Sequence, residues 1–309
     1  MNVVFMGTPD FAVPTLNKIY EENYNVSLVV TMPDRPKGRG KKMTPPPVKV
    51  KAKELGIEVF QPEKINSAES ISKLQEISPD VIVVVAYGQI LKEEILNLPE
   101  YGCINVHASL LPKYRGAAPI NWVLINGEKI TGVTTMLMEK GLDTGDMLLK
   151  SQMDIAENLT AGVLHDKLMV MGAELLIDTL NGLKEGSIES IPQNESESSY
   201  APIMNKNLGR IEWSDTAIDI KNLVRGTEPW PSAFTKYKNK KIKISNVEIV
   251  KKFKEGVPGE VVKVSNEGIF VNTKDDCLQI KKIQFPGKRS MKVEDYLKGN
   301  EFEQGVILS

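Results

Sequence analysis

The sequence predicts an α/β fold, a parallel-rich sheet domain followed by a small β-barrel domain. Three observations carry this reading. The chain opens with an apolar run, Asn2-Val3-Val4-Phe5-Met6, a turn containing Gly7, a helical stretch and a second apolar run over 25–31. That is a βαβ unit, which calls for parallel strands and a right-handed crossover. Residues 80–86 then form a run centred on Val-Ile-Val-Val-Val, as a central parallel strand buried on both faces requires. Beyond 209 the texture changes to short strand-like runs punctuated by Gly, Pro and Asn, the pattern of a small barrel.

Length and composition set the bounds. A chain of 309 residues suits two domains, read here as 1–183 and 209–309 joined by a linker over 184–208. Hydrophobic residues at 41% and charged residues at 26% exclude a disordered chain. No apolar run approaches the roughly eighteen residues of a membrane span. The N-terminus lacks the basic and apolar regions of a secretory signal. The two cysteines, Cys103 and Cys277, lie in apolar strand-like contexts, which suits a reducing, cytoplasmic setting. Two cysteines and two histidines far apart in sequence give no support to a structural zinc site. The net charge of −1 is unevenly spread: 209–309 holds 19 Lys and Arg against 14 Asp and Glu. Such asymmetry fits a polyanionic partner, although a lysine-rich solvated surface gives the same count.

In chain order, Pro9 suits the first turn of a helix reaching about residue 22. One glycine in the first turn, instead of G-x-G-x-x-G, gives little support to a dinucleotide site. Residues 32–47 are Pro- and Gly-rich and carry Arg35, Lys37, Arg39, Lys41 and Lys42 against a lone Asp34. A loop with no structure of its own is expected there, of the kind that is functional or mobile. A helix over 48–56, a strand over 57–60 and a helix over 65–77 lead to the central strand. Tyr87-Gly88-Gln89-Ile90-Leu91 then turns out of the sheet. Its backbone suits hydrogen bonding to a flat heterocycle, with Ile90 and Leu91 packed against it; a plain strand end feeding a helix near Lys92 is the alternative. A helix over 119–126 and strands over 132–138 and 147–153 follow. The helix over 159–183 carries its apolar stripe at Ala161, Leu164, Leu168, Met171 and Leu175. His165 beside that stripe reads as a solvated helix residue. The last domain is expected to hold a helix over 217–225 and strands over 233–237, 241–250, 259–264, 268–272 and 278–285.

The chemistry concentrates at Asn105-Val106-His107-Ala108-Ser109-Leu110-Leu111-Pro112. Asn105 and His107 lie two apart on a strand, so both point to one face. The carboxyl end of such a strand is where α/β sheets place ligands. An amide donor beside an imidazole suits a reaction in which a carbonyl oxygen gains negative charge. A carboxylate arrives from the loop Gly141-Leu142-Asp143-Thr144-Gly145-Asp146. Asp143 in a turn of this kind is also a common backbone cap.

These motifs resemble the methionyl-tRNA formyltransferase family within the folate-dependent formyltransferases, over the whole chain. The matching residues are Met6-Gly7-Thr8-Pro9-Asp10-Phe11, the basic segment from Pro33 to Lys42, and Ala86-Tyr87-Gly88 with Ile90-Leu91. Asn105 to Pro112 with Arg115-Gly116, the Asp143 loop and the distal Pro229-Trp230-Pro231 complete them, with no departure at the motif positions. The resemblance implies a Rossmann-like parallel-rich sheet domain followed by a small OB-like β-barrel domain, and transfer of the formyl group of 10-formyltetrahydrofolate to the α-amino group of methionyl initiator tRNA. It implies Asn105, His107 and Asp143 as catalytic. It implies Tyr87, Gly88, Ile90, Leu91, Ser109, Leu110, Leu111 and Pro112 toward the folate, and Arg35, Lys37, Arg39, Lys41 and Lys42 toward the tRNA. No metal is needed, no membrane is involved, and a monomer is expected. Two rivals stand beside this reading: a formyltransferase acting on a sugar-nucleotide or phosphoribosyl amine, and a non-enzymatic RNA-binding module.

Overall fold

The βαβ opening is present in the computed structural model, which describes residues 1–309 apart from Arg39 and Phe253. Strand β1 (Asn2–Gly7) pairs in parallel with β2 (Asn25–Val30) across helix α1 (Val13–Glu21). The helix expected from Pro9 begins later. Pro9 instead precedes a 3-10 turn, Asp10–Ala12, and Pro14 opens α1 proper, where its missing N–H costs nothing. Next come β3 (Arg35–Lys37), β4 (Lys42–Thr44), α2 (Pro47–Glu54), β5 (Val59–Phe60), α3 (Ala68–Ile77) and β6 (Val81–Val85). They are followed by α4 (Glu93–Leu96), β7 (Cys103–His107), α5 (Pro119–Ile125), β8 (Ile130–Leu137), β9 (Met147–Asp154) and α6 (Ala161–Glu185).

The stretch 32–47 is corrected by the structure. It is not devoid of secondary structure: β3 and β4 pair as an antiparallel ribbon, with Arg35 opposite Thr44 and Lys37 opposite Lys42. Gly38 and Lys41, both at positive φ, make the turn between them. The composition of Pro, Gly and Lys hid a hairpin because its strands are only three residues long.

The residues group into two compact units. The first comprises 1–116, 130–154 and 165–201; the second comprises 117–129, 155–164 and 202–309. The first holds a seven-stranded sheet in the order β5-β2-β1-β6-β7-β8-β9. The strands from β5 to β7 are parallel, β8 runs antiparallel to β7, and β9 runs antiparallel to β8. Strand order reverses between β1 and β6, so the crevice favoured for ligands lies at their carboxyl ends. There the Thr8 hydroxyl donates to the Tyr87 carbonyl at 2.6 Å. Below that edge Val4, Met6, Leu28, Val30, Ile82 and Val84 form the core.

Helix α6 covers one face of β7 and β8. A Cβ on Gly172 would come within 2.8 Å of Val106, so the helix backbone lies directly on that strand. Buried Thr135 and Thr179 are hydrogen-bonded at 2.8 Å across the same contact. Val106 therefore faces α6, and Asn105 and His107 face the other way.

In the second unit, α7 (Ala217–Gly226) is capped by Thr216, whose hydroxyl accepts from the Asp219 N–H. It packs on α5: a Cβ on Gly226 would meet Ile125 at 2.6 Å, and the Asn121 amide donates to the Gly226 carbonyl at 2.8 Å. Helix α5, placed by sequence within 1–183, thus groups with the C-terminal residues. Strands β10 (Phe234–Tyr237), β11 (Lys240–Val250), β12 (Val261–Ser265), β13 (Gly268–Asn272) and β14 (Cys277–Gln284) form an antiparallel sheet ordered β10-β11-β14-β13-β12. The sheet curls into a half-barrel, and a short β15 (Met291–Lys292) pairs with β14 before α8 (Val293–Leu297). Its core includes Ile211, Trp213, Ile244, Val271, Ile280 and Phe302.

Candidate active site

Asn105 and His107 sit at the carboxyl end of β7, Asn105 opposite Val84 of β6 and His107 opposite Thr134 of β8. The Asp143 loop, between β8 and β9, brings its carboxylate to both. Asn105 Nδ2 donates to Asp143 Oδ1 at 3.4 Å, and His107 Nδ1 lies 3.7 Å from Asp143 Oδ2. His107 is 6% exposed. Its Nε2 is 2.9 Å from the Tyr114 carbonyl, which can only accept, so this nitrogen carries a proton in the neutral and cationic ring alike. Nδ1 is thus the nitrogen left to face Asp143. Asp143 Oδ2 also accepts from the Gly116 N–H at 2.8 Å. Asp143 adopts φ +55°, a left-handed conformation that Asp tolerates better than most residues.

The segment between His107 and Gly116 is pinned from below. Ser109 Oγ donates to the Lys113 carbonyl at 2.6 Å, and Thr134 Oγ1 donates to the Ser109 carbonyl at 2.7 Å. Thr134 also accepts from the Leu111 N–H at 3.1 Å, and Lys150 Nζ donates to the Leu111 carbonyl at 2.6 Å. Burial pulls the Lys150 pKa down from its usual 10.5.

A second support comes from 193–201, inside the stretch read by sequence as a linker. Gln193 donates to the carbonyls of Asp143 and Gly145 at 2.8 and 2.7 Å and accepts from Arg115 Nε at 3.0 Å. Arg115, 7% exposed, makes a two-point ion pair with Glu195 at 2.7 and 2.9 Å. That guanidinium holds the Glu195 carboxyl below its ordinary pKa. The backbone of Arg115 bridges to Tyr200, accepting from the Ala201 N–H and donating to the Ser199 carbonyl. A Cβ on Gly116, φ +111°, would lie 2.5 Å from Tyr200, so the segment runs tightly against the loop.

Residues 1–180 match the Formyl transferase family, and residues 203–301 match the family described as Formyl transferase, C-terminal domain. The chain belongs to the formyl transferase family. It is 55% identical over 309 residues to methionyl-tRNA formyltransferase of Clostridium tetani, covering 100% of this chain and 99% of the relative. It is 55% identical over 308 residues to methionyl-tRNA formyltransferase of Clostridioides difficile, covering 100% of both. Among solved structures, an N-formyltransferase from Helicobacter canadensis, in complex with folinic acid and dTDP-3-aminofucose, superposes with a TM-score of 0.68 at 20% identity. It covers 90% of this chain and 98% of that one. HypX from Aquifex aeolicus, in complex with tetrahydrofolic acid, gives a TM-score of 0.64 at 16% identity, covering 99% of this chain and 50% of that one. These two share the formyl transferase fold.

The other candidates fall into two places. Of the residues expected toward a folate, Tyr87 and Leu91 are packed in the sheet core, and burial pushes the Tyr87 phenol up to about 12. Leu111 is buried with Met136 and Met147, Ser109 and Pro112 are also buried, and Leu110 is half-buried. Gly88 and Ile90 reach the surface, Ile90 being 83% exposed. Of the basic set, Arg35, Lys37, Lys41 and Lys42 are all exposed on the β3–β4 hairpin, while Arg39 lies outside the described residues. Beneath the hairpin a cleft of about 880 Å³ is lined by Thr8, Val13, Met32, Pro45, Pro46 and Met169, with Arg35, Lys37 and Lys51 among its charged residues. The cleft is not at Asn105 and His107. It opens beside the end of β1, two strands away across β6, about 10 Å at ordinary strand spacing.

Sequence reasoning missed Thr134, Lys150, Gln193 and Glu195. Nothing local marks them, because each acts on backbone or charge brought from a distant segment. Only the Arg115-Gly116 motif offered a hint, and its partner could not be read from it.

Proposed function

We propose that this chain transfers the formyl group of 10-formyltetrahydrofolate to the α-amino group of methionine carried on initiator tRNA, with Asn105, His107 and Asp143 as its catalytic residues. The observation that carries the mechanism is their convergence, a carboxylate within 3.4 Å of an amide and 3.7 Å of an imidazole. The identity of the two relatives named above supports the substrate.

The neutral amine attacks the formyl carbon, and the carbonyl oxygen becomes an oxyanion. Asn105 Nδ2 and a protonated His107 Nδ1 stabilise it; one such preorganised donor is worth about 2.7–4 kcal/mol. The new C–N bond makes the amine nitrogen cationic, and Asp143, directly or through one water, takes its proton. The bond to N10 of the folate then breaks and N10 receives that proton, so atoms and charge balance. The fixed Nε2–H bond to Tyr114 keeps the ring from turning during these steps.

The hairpin supplies the second half of recognition. Arg35, Lys37, Lys41 and Lys42 lie in solvent, where a phosphate backbone meets them without desolvation of a buried charge. The apolar cleft beside it is the entry we assign to the aminoacyl end. Among the described residues no helix is long and apolar enough to cross a membrane.

The test offers the protein 10-formyltetrahydrofolate with methionyl initiator tRNA, uncharged tRNA and a nucleotide-sugar amine in parallel. Formyl-methionine on the charged tRNA alone is expected. A higher kcat/KM on the sugar amine would overturn the substrate, and no transfer to any amine would overturn the reaction.

A further inference from the structure

Asp143 reaches His107 from a loop whose tip is open to solvent: residues 139–142 are exposed, Leu142 by 54%. The base of the loop is packed, with Gly145 buried against the Leu137 carbonyl, and side-chain bonds from outside the loop add to that hold. The Gln193 side chain has two N–H donors and a carbonyl acceptor, and each has a partner. The donors meet the carbonyls of Asp143 and Gly145, on either side of Thr144, and the acceptor meets Arg115 Nε. Arg115 lies between the two residues that hold the catalytic pair. Tyr114 gives its carbonyl to His107, and Gly116 gives its N–H to Asp143. Ser199 closes the other end, its hydroxyl accepting from the Tyr114 N–H at 2.9 Å. A single strap over 193–199 thus ties together the backbone on both sides of the constellation. Gln193 thus spends both of its N–H groups on the backbone of the Asp143 loop.

We propose that Gln193 is a positioning residue for formyl transfer, holding the Asp143 carboxylate at its approach to His107 through the loop backbone, with Arg115 and Glu195 as its support. This rests on the reading of Asp143 as catalytic. A displacement of about 1 Å in such a group can cost a hundredfold in rate. Gln193→Met keeps the volume and removes all three bonds. Gln193→Glu keeps the acceptor for Arg115 but sets a carboxylate against two carbonyls. Glu195→Gln, at a side chain 71% exposed, weakens only the support and leaves the fold intact.

The test measures kcat, KM for each substrate and thermal melting in these variants, in the native background and in Asp143→Ala. Gln193→Met and Gln193→Glu are each expected to lower kcat about 10- to 100-fold, with both KM values and the melting temperature nearly unchanged. Glu195→Gln is expected to lower kcat less, in the same direction. In the Asp143→Ala background none of the three should add a further loss, because the group they position is gone. Wild-type turnover in Gln193→Met, or losses that multiply with that of Asp143→Ala, would overturn the inference while leaving Asp143 catalytic. Wild-type turnover in Asp143→Ala itself would overturn both. If Gln193→Met melts early, Glu195→Gln decides: a kcat equal to wild type, or a loss that persists in Asp143→Ala, overturns the strap's role.

Discussion

The rim at Asn105 and His107 and the β3–β4 hairpin are built on opposite principles. At the rim His107 is 6% exposed and bonded through Nε2 to a backbone carbonyl, while Asp143 is held by the Gly116 N–H. On the hairpin Arg35 is two-thirds exposed, and the nearest carboxylate, Glu63, lies 3.9 Å away and is itself exposed. Exposed pairs of that kind add little to stability. Chemistry on a formyl carbon needs donors that do not reorganise as charge develops. Attraction of a polyanion needs only charge in solvent, since phosphate contacts are long-ranged and tolerant of position. On the proposed assignment the difference separates turnover from binding, so each side can be broken alone.

The largest effect is expected at the rim. Asn105→Ala and His107→Ala should each lower kcat by about 10²–10³, the cost of one oxyanion donor, with the KM for tRNA little changed. Single-turnover assays at saturating tRNA check this. Near-wild-type rates in both variants would erase the contrast by removing the rim from the chemistry.

A smaller and differently shaped effect is expected on the hairpin. Lys37→Ala and the pair Lys41→Ala with Lys42→Ala should raise the KM for tRNA and leave kcat at saturation near normal. Each lost phosphate contact should reduce the slope of log affinity against log salt by about 0.7–0.9. An unchanged slope would mean that these lysines are a solvated face and not a recognition surface.

How much of this was legible follows the same division. The strands were readable because Val81–Val85 and Cys103–His107 are runs whose composition admits little else, and the two-residue spacing of Asn105 and His107 puts them on one face. Asp143 was found as a residue type in a turn motif, and its distance to His107 came only with the fold. The hairpin is not readable in the sequence, because strands of three residues give no periodicity. Gln193 and Glu195 were hidden more deeply. They sit in a polar stretch without apolar residues, and a side chain that bonds distant backbone leaves no local signature. The grouping of α5 with the C-terminal residues was equally unreadable, since Gly226 against Ile125 is a contact between positions far apart in the chain.

The smallest effect sharpens the contrast at the hairpin's root. Asp34 precedes β3 and accepts from Lys49 of α2 at 2.7 and 2.9 Å and from Gln61 at 2.9 Å. The Lys49 bond, then that from Gln61, holds the Asp34 carboxyl below its ordinary pKa. A carboxyl depressed in the folded state contributes stability above its unfolded pKa, near 3.9, and loses it as pH falls through the lower folded value. Asp34→Asn should therefore melt slightly below wild type at neutral pH, and the gap should close in the acid range below the ordinary carboxylate pKa. Hydrogen exchange of the β3–β4 amides should rise in the variant at neutral pH, and the KM for tRNA should rise less than in the lysine variants, because every basic group remains. A melting difference that stays constant down into the acid range would show that the root is held by something other than this ion pair. The hairpin's position would then not depend on the Lys49–Asp34 pair, and the contrast with the rim would rest on its exposed charges alone.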